Sequence, residues 1–177
     1  MNNLLKYFSQ IELEKLIKLD MFSKARIIVE RIFKEQVDKA GEPYINHLYR
    51  VSDRLENYKD KVAGLLHDII EDTEITSSDL TNIGFSKDIV DIVLLLSKDT
   101  SVINKSLDDK LNNYNEKIEK IIKSKNLSAI RVKIADIEDN YDENRLPKLS
   151  IEQREWFQKK YKKNLVKLKE MERKILC

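Results

Sequence analysis

"VAGLLHDIIEDTEIT", residues 62–76, is the stretch whose reading decides the fold. Small and apolar residues run straight into His67 and Asp68. Two more apolar residues follow, and then Glu71 and Asp72. On a helix, residues three and four apart share a face. His67 and Glu71 stand at that spacing, as do Asp68 and Asp72, so a helix over residues 60–72 carries one continuous polar stripe. Val62, Leu65, Leu66, Ile69 and Ile70 surround the stripe and bury much of the helix. Three carboxylates in a partly buried stripe are costly unless a cation or hydrogen bonds satisfy them. An exposed acidic stripe with one stray histidine is the plain alternative, and His67-Asp68 alone does not exclude it.

The rest of the chain extends the helical reading. It has three glycines and two prolines in 177 residues, so long helices are the default. No segment alternates with a period of two between turn signals, which predicts an all-α fold without strands. The first helical region covers residues 4–37 with a break near Asp20, and residues 38–44 form a turn. Pro43 suits the start of the next helix, where its missing N–H costs little. That helix carries Tyr44, His47, Leu48, Val51 and Leu55. Thr76 and Asp79 form a capping-box pattern for a short helix that Gly84 ends, and Ser86 caps the next. Helices over residues 112–125 and 128–141 follow. Pro147 precedes a long last helix with a stripe of Trp156, Tyr161, Leu165, Leu168 and Ile175, read as core packing. No linker or repeat divides the chain, so residues 1–177 are read as a single domain.

Composition narrows the function. Charged residues make up 36% and the apolar set 41%, the profile of a globular chain. With 33 basic and 31 acidic residues, the net charge of +2 gives no whole-protein field for nucleic acid. The basic run Lys159, Lys160, Lys162 and Lys163 reads as a solvated helix face. The single cysteine, Cys177, permits no intrachain disulfide, which fits the cytosol. No uncharged apolar run approaches membrane-spanning length, and the first residues lack a signal-peptide pattern. The expectation is a cytoplasmic protein with no membrane or nucleic-acid partner; the oligomeric state is not readable.

Two further segments share the character of the opening stretch. One is "AGEPYINH", ending at His47, the only histidine besides His67. The other is "IRVKIADIEDN", where Asp136 follows Ile130, Val132, Ile134 and Ala135, and Asn140 lies one turn on. With "AGLLHDIIEDTEIT" between them, these pieces make the sequence resemble the HD-domain phosphohydrolases. Within them it is most similar to the hydrolase domain of RelA/SpoT-type alarmone enzymes and their stand-alone small relatives. The resemblance spans roughly residues 25–140.

The resemblance implies an HD-domain helical bundle, with His47, His67, Asp68 and Asp136 as metal ligands. It implies that Glu71 and Asp72 position or activate the attacking water, and that Lys39 and Asn140 contact substrate. Such a ligand set suits Mn²⁺, with Fe²⁺, Co²⁺, Mg²⁺ and Zn²⁺ open. The implied substrate is a nucleotide, first guanosine 3′,5′-bis(diphosphate). The alternatives are another nucleotide or a catalytically silent binding domain. The chain is too short for the synthetase and regulatory domains of long bifunctional enzymes, so a hydrolase-only protein is expected.

Departures from the pattern are local. Asp38 stands near a turn position that is often basic in RelA/SpoT-type enzymes, and disfavours a highly anionic substrate unless Lys39 or Lys34 compensates. Ile137, Glu138 and Asp139 replace an Arg-Leu-His type run. Arg131, Lys133 and Arg145 offer local positive charge, with surface salt bridging the plainer role for each.

Overall fold

A computed structural model describes residues 3–97, 106–142 and 146–177. Among these residues there is no strand; one isolated antiparallel bridge joins Val37 and Pro43. The helices are α1 (Gln10–Ile17), α2 (Met21–Ile32), α3 (Tyr44–Asp53), α4 (Tyr58–Leu66), α5 (Ile69–Asp72), α6 (Ser77–Asn82), α7 (Lys87–Leu96), α8 (Leu107–Ser124), α9 (Leu127–Asn140) and α10 (Ile151–Leu176). The all-α expectation holds.

Local chemistry sets many of the boundaries. Asp20 starts α2 by accepting from the backbone N–H groups of Phe22 and Ser23, since a capping carboxylate satisfies donors the helix leaves orphaned. Thr76 and Asp79 close the expected capping box on α6. Gly84 ends that turn at φ +90°, left-handed backbone that glycine adopts without a Cβ clash. Ser106 and Asp109 cap α8, which begins before residue 112.

Two further boundaries differ from the expectation. The first helical region stops at Ile32 rather than Val37, because the chain enters the turn bridged by Val37 and Pro43. The proposed helix over residues 60–72 is broken at His67 and Asp68, dividing α4 from α5. Asp68 has φ −103° and ψ −1°, a flattened turn, and the Asp68 carbonyl still accepts from the Asp72 N–H at 2.9 Å.

Helix α4 is the central element and packs on α2, α3, α7 and α9. It joins two apolar clusters. Val62, Leu65 and Leu66 face the first, with residues of α1, α2, α6 and α7. Ala63 faces the second, with residues of α8, α9 and α10. In α10, Tyr161 and Leu168 of the expected stripe are buried, and Trp156, Leu165 and Ile175 pack partly buried against the same cluster.

Gly64 explains how close α3 comes to α4. A Cβ there would lie 2.9 Å from Leu55 Cδ1 and 3.2 Å from Ser52 Cα. The missing side chain brings the His47-bearing helix against the His67-bearing one.

Candidate metal and active site

His47, His67 and Asp68 bring ligand atoms within 4.8 Å of one another, and Asp136 faces both histidines. His47 comes from α3, His67 and Asp68 from the break after α4, and Asp136 from α9. His47 Nε2 lies 3.4 Å from Asp136 Oδ1 and 3.9 Å from Asp68 Oδ2. His67 Nε2 lies 2.8 Å from Asp68 Oδ2 and 3.7 Å from Asp136 Oδ1. The two imidazole centroids are 5.3 Å apart. His47, His67 and Asp136 are buried, and Asp68 is half-buried.

The ring nitrogens show which atoms are available. His67 Nδ1 lies 2.7 Å from the Gly64 carbonyl, to which a protonated Nδ1 donates. That leaves Nε2 facing the carboxylates. Nε2 is fully buried and has no hydrogen-bond partner, with Asp68 Oδ2 2.8 Å away as a charge contact. A buried polar atom without a partner calls for a specific compensation. A divalent cation would supply it, and His47, His67 and Asp68, which offer ligand atoms within 4.8 Å of one another, are a donor set that fits one.

The electrostatics agree. Burial alone would lower the pKa of His67, but the Asp68 and Asp136 carboxylates overcome it and push it up to about 10. Burial likewise opposes protonation of His47, while Asp136 and Asp139 raise it. Burial would raise the Asp68 pKa, and the histidines hold it well below the usual carboxylate range. Asp136 is also held far down, against its burial, by Lys133 and both histidines.

A cavity of about 370 Å³ opens on this cluster. Glu71, Asp72, Lys39 and Asn140 all line it. Asn140 Nδ2 donates to the Asp136 carbonyl at 3.0 Å and to Oδ1 at 2.6 Å, so it steadies Asp136 as well as facing the cavity. Lys39 Nζ sits 4.9 Å above the Phe157 ring. Glu71 Oε2 accepts from Lys117 Nζ at 2.8 Å, and Asp72 is exposed.

Several site residues were not anticipated. The Tyr44 hydroxyl donates to Asp68 Oδ2, the oxygen nearest His67 Nε2. The Lys117 side chain is only 8% exposed beside Glu71; burial and nearby Lys133 lower its pKa to about 8, against the pull of Glu71. Its signal lay in the Tyr114, Ile118 and Ile121 spacing, which puts position 117 at the edge of the buried face of α8. Asp139 is fully buried, with Oδ2 2.7 Å from His47 Nδ1 and Oδ1 2.7 Å from Arg50 Nε.

Three charge expectations are corrected or refined. Lys133 is not a surface residue: it is 6% exposed and its Nζ donates to Asp136 Oδ2 at 2.6 Å. Lys160 is not wholly solvated; its Nζ lies 4.4 Å above the Tyr114 ring and it lines the cavity. The Asp38 carboxylate turns into its own loop, accepting from the N–H groups of Ala40 at 2.8 Å and Glu42 at 3.0 Å. Arg131 does bridge the surface, to Glu172 at 2.9 Å. Arg145 lies outside the described residues.

No family model matches the chain. A probable guanosine-3′,5′-bis(diphosphate) 3′-pyrophosphohydrolase of Mycoplasma pneumoniae is 37% identical over 129 residues, 68% of this chain and 18% of the relative. A GTP pyrophosphokinase of Myxococcus xanthus is 35% identical over 125 residues, 67% of this chain and 16% of the relative. Among solved structures, a metazoan ortholog of SpoT that hydrolyses ppGpp superposes with a TM-score of 0.66 at 23% identity, covering 88% of this chain and 96% of that one. This is an HD-type, RelA/SpoT hydrolase-like chain.

A second solved structure, from Listeria monocytogenes, shares the fold with a TM-score of 0.53 at 24% identity, covering 76% of this chain and 94% of that one. The RelA/SpoT hydrolase-like chain spans less than a fifth of the two curated relatives described, 18% and 16% of their lengths. Among the described residues no helix is long and apolar enough to cross a membrane.

Proposed function

We propose that this chain is a metal-dependent nucleotide phosphohydrolase of the cytosol, with guanosine 3′,5′-bis(diphosphate) as its first candidate substrate. The observation that carries the reading is the meeting of His47, His67, Asp68 and Asp136 beside a cavity whose wall includes His47, Asp68 and Asp136. The names of the relatives support the substrate. His47, His67, Asp68 and Asp136 would hold one divalent ion, which we take to be Mn²⁺. When bound, such an ion neutralises phosphate charge and lowers the pKa of an attacking water.

The chain's own residues supply the rest. Glu71 and Asp72 orient the water and accept its proton. Water adds to the phosphorus bound to the ribose 3′-oxygen. The 3′ O–P bond breaks, pyrophosphate leaves, and the 3′-oxygen takes a proton, so the 5′-diphosphate remains. Lys39, Lys117, Lys133 and Lys160 place positive charge around the cavity for an anionic substrate. Tyr114, Phe157 and Tyr161 give it an aromatic wall suited to a base. Asn140 holds Asp136 in place beside the bound nucleotide.

The test is a nucleotide panel incubated with purified protein and Mn²⁺, scored for phosphate and pyrophosphate. Pyrophosphate release from guanosine 3′,5′-bis(diphosphate), lost in His67→Ala and Asp68→Ala, is expected. Turnover of a different nucleotide alone would overturn the substrate. No turnover of any nucleotide by metal-loaded protein would overturn the enzyme reading.

A further inference from the structure

His47 is gripped from both sides by one helix. Asp136 faces its Nε2 at 3.4 Å and Asp139 faces its Nδ1 at 2.7 Å, three residues apart on α9. Asp139 does not line the cavity, so it does not reach a substrate there. Its carboxylate is 0% exposed, while the Arg50 side chain that holds it is 33% exposed. Arg50 forks onto it, with Nε 2.7 Å from Oδ1 and Nη2 3.1 Å from Oδ2. Arg54 Nη2 stands 3.7 Å from Oδ1. Arg50 also reaches Glu42 at 3.7 Å, and Glu42 pairs with Lys148.

A buried ion pair is a poor device for stability, because desolvation offsets most of the attraction. The geometry gives this one another use. A carboxylate that already accepts two N–H groups from an arginine can only accept from the imidazole. It therefore fixes the proton of neutral His47 on Nδ1 and leaves the Nε2 lone pair toward Asp68 and Asp136. His67 has the same constraint from a main-chain carbonyl, that of Gly64. For His47 the constraint comes from a side chain, and a side chain can be varied.

We infer that Asp139, clamped by Arg50, is a positioning residue that sets the tautomer and aim of His47, and through it the affinity of the metal site. The inference rests on the metal-site reading above. It also ties the metal site to the turn over residues 38–43, since Arg50 and Glu42 join the two.

The experiment measures Mn²⁺ affinity of the full chain by chelator competition, with no substrate present. Wild type, His47→Ala, Asp139→Asn and Arg50→Met are compared, and ¹⁵N NMR of the metal-free proteins reads the His47 tautomer at a pH where the ring is neutral. Asp139→Asn is expected to bind Mn²⁺ about 10- to 100-fold more weakly, the usual loss when such a partner is removed. The proton should move from Nδ1 to Nε2 or spread between them. Arg50→Met, changed at a half-exposed position, should lose affinity several-fold and covers the case in which Asp139→Asn does not fold. If His47→Ala loses the metal while both other variants bind like wild type with an unchanged tautomer, the inference is overturned and the metal site stands. If wild type binds no Mn²⁺, the metal-site reading fails, and the inference with it.

Discussion

His67 carries the case for a metal at the residue scale, because its buried Nε2 has no hydrogen-bond partner. The residues around it divide into those legible in the sequence and those hidden from it. His47, His67, Asp68 and Asp136 were legible because histidine is scarce and both aspartates interrupt apolar runs. Lys133 and Lys117 were hidden, because lysine on a helix is usually solvated, and burial is decided by neighbouring helices. Asp38 was legible as an acid in a turn, but not as an acceptor for its own loop. Two outcomes follow at this scale. Glu71→Gln should fold normally and lose about 10²- to 10⁴-fold in turnover, read in the pyrophosphate assay. Asp136→Ala leaves Lys133 as a buried charge without its partner and should cost about 3–5 kcal/mol in a urea melt of the metal-free protein. A loss below ~1 kcal/mol would show that the pair is not held as described.

Lys117 gives a pH outcome. Its pKa in the folded chain is about 8, against an ordinary 10.5. Between those values the unfolded chain binds a proton that the native state lacks, so this group's contribution to stability rises with pH over that window. Arginine in its place stays charged throughout. The melting temperature of wild type relative to Lys117→Arg should therefore climb from pH 8 to pH 10. A flat or falling difference would contradict a buried, depressed Lys117.

At the scale of elements, the break between α4 and α5 does what a straight helix would not. On a continuous helix His67 and Asp68 project about 100° apart. The flattened turn at Asp68 brings its Oδ2 within 2.8 Å of His67 Nε2. The spacing of apolar residues runs on through the break, so sequence alone read residues 60–72 as one helix. The Thr76–Asp79 cap was easier, because it acts on the next few residues only, while Ser86 takes the N-cap position of α7 without the side-chain hydrogen bond of a cap. Helix α9 was readable as a site element through Asp136 and Asn140, while Asp139 was noted only as a departure. Gly64 is the element-scale test. An alanine there must displace Leu55 and meet the Ser52 backbone, and should cost about 1–3 kcal/mol. Because α3 would move off α4, the same variant should bind Mn²⁺ more weakly, which chelator competition would read. Unchanged stability and affinity would show that the close approach does not hold the histidines together.

For the molecule as a whole, the site lies where two apolar clusters meet across α4, so it is only as rigid as the packing of α3, α4 and α9 around it. The all-α class followed from three glycines, two prolines and the absence of alternation. The packing of α10 against α8 and α9, which turns Phe157, Lys160 and Tyr161 into the cavity, depends on contacts far apart in the chain. A ligand that binds only the native state raises its stability, by about 2.7 kcal/mol at one hundred times its dissociation constant. Saturating Mn²⁺ should accordingly raise the melting temperature by roughly 5–10 °C. The rise should vanish in His67→Ala. The most direct test of the central claim is the anomalous scattering of a crystal of the full chain grown with Mn²⁺. A single strong peak is predicted about 2.0–2.3 Å from His47 Nε2, His67 Nε2, Asp68 and Asp136. A crystal with no peak there, or with its manganese elsewhere, would contradict the account.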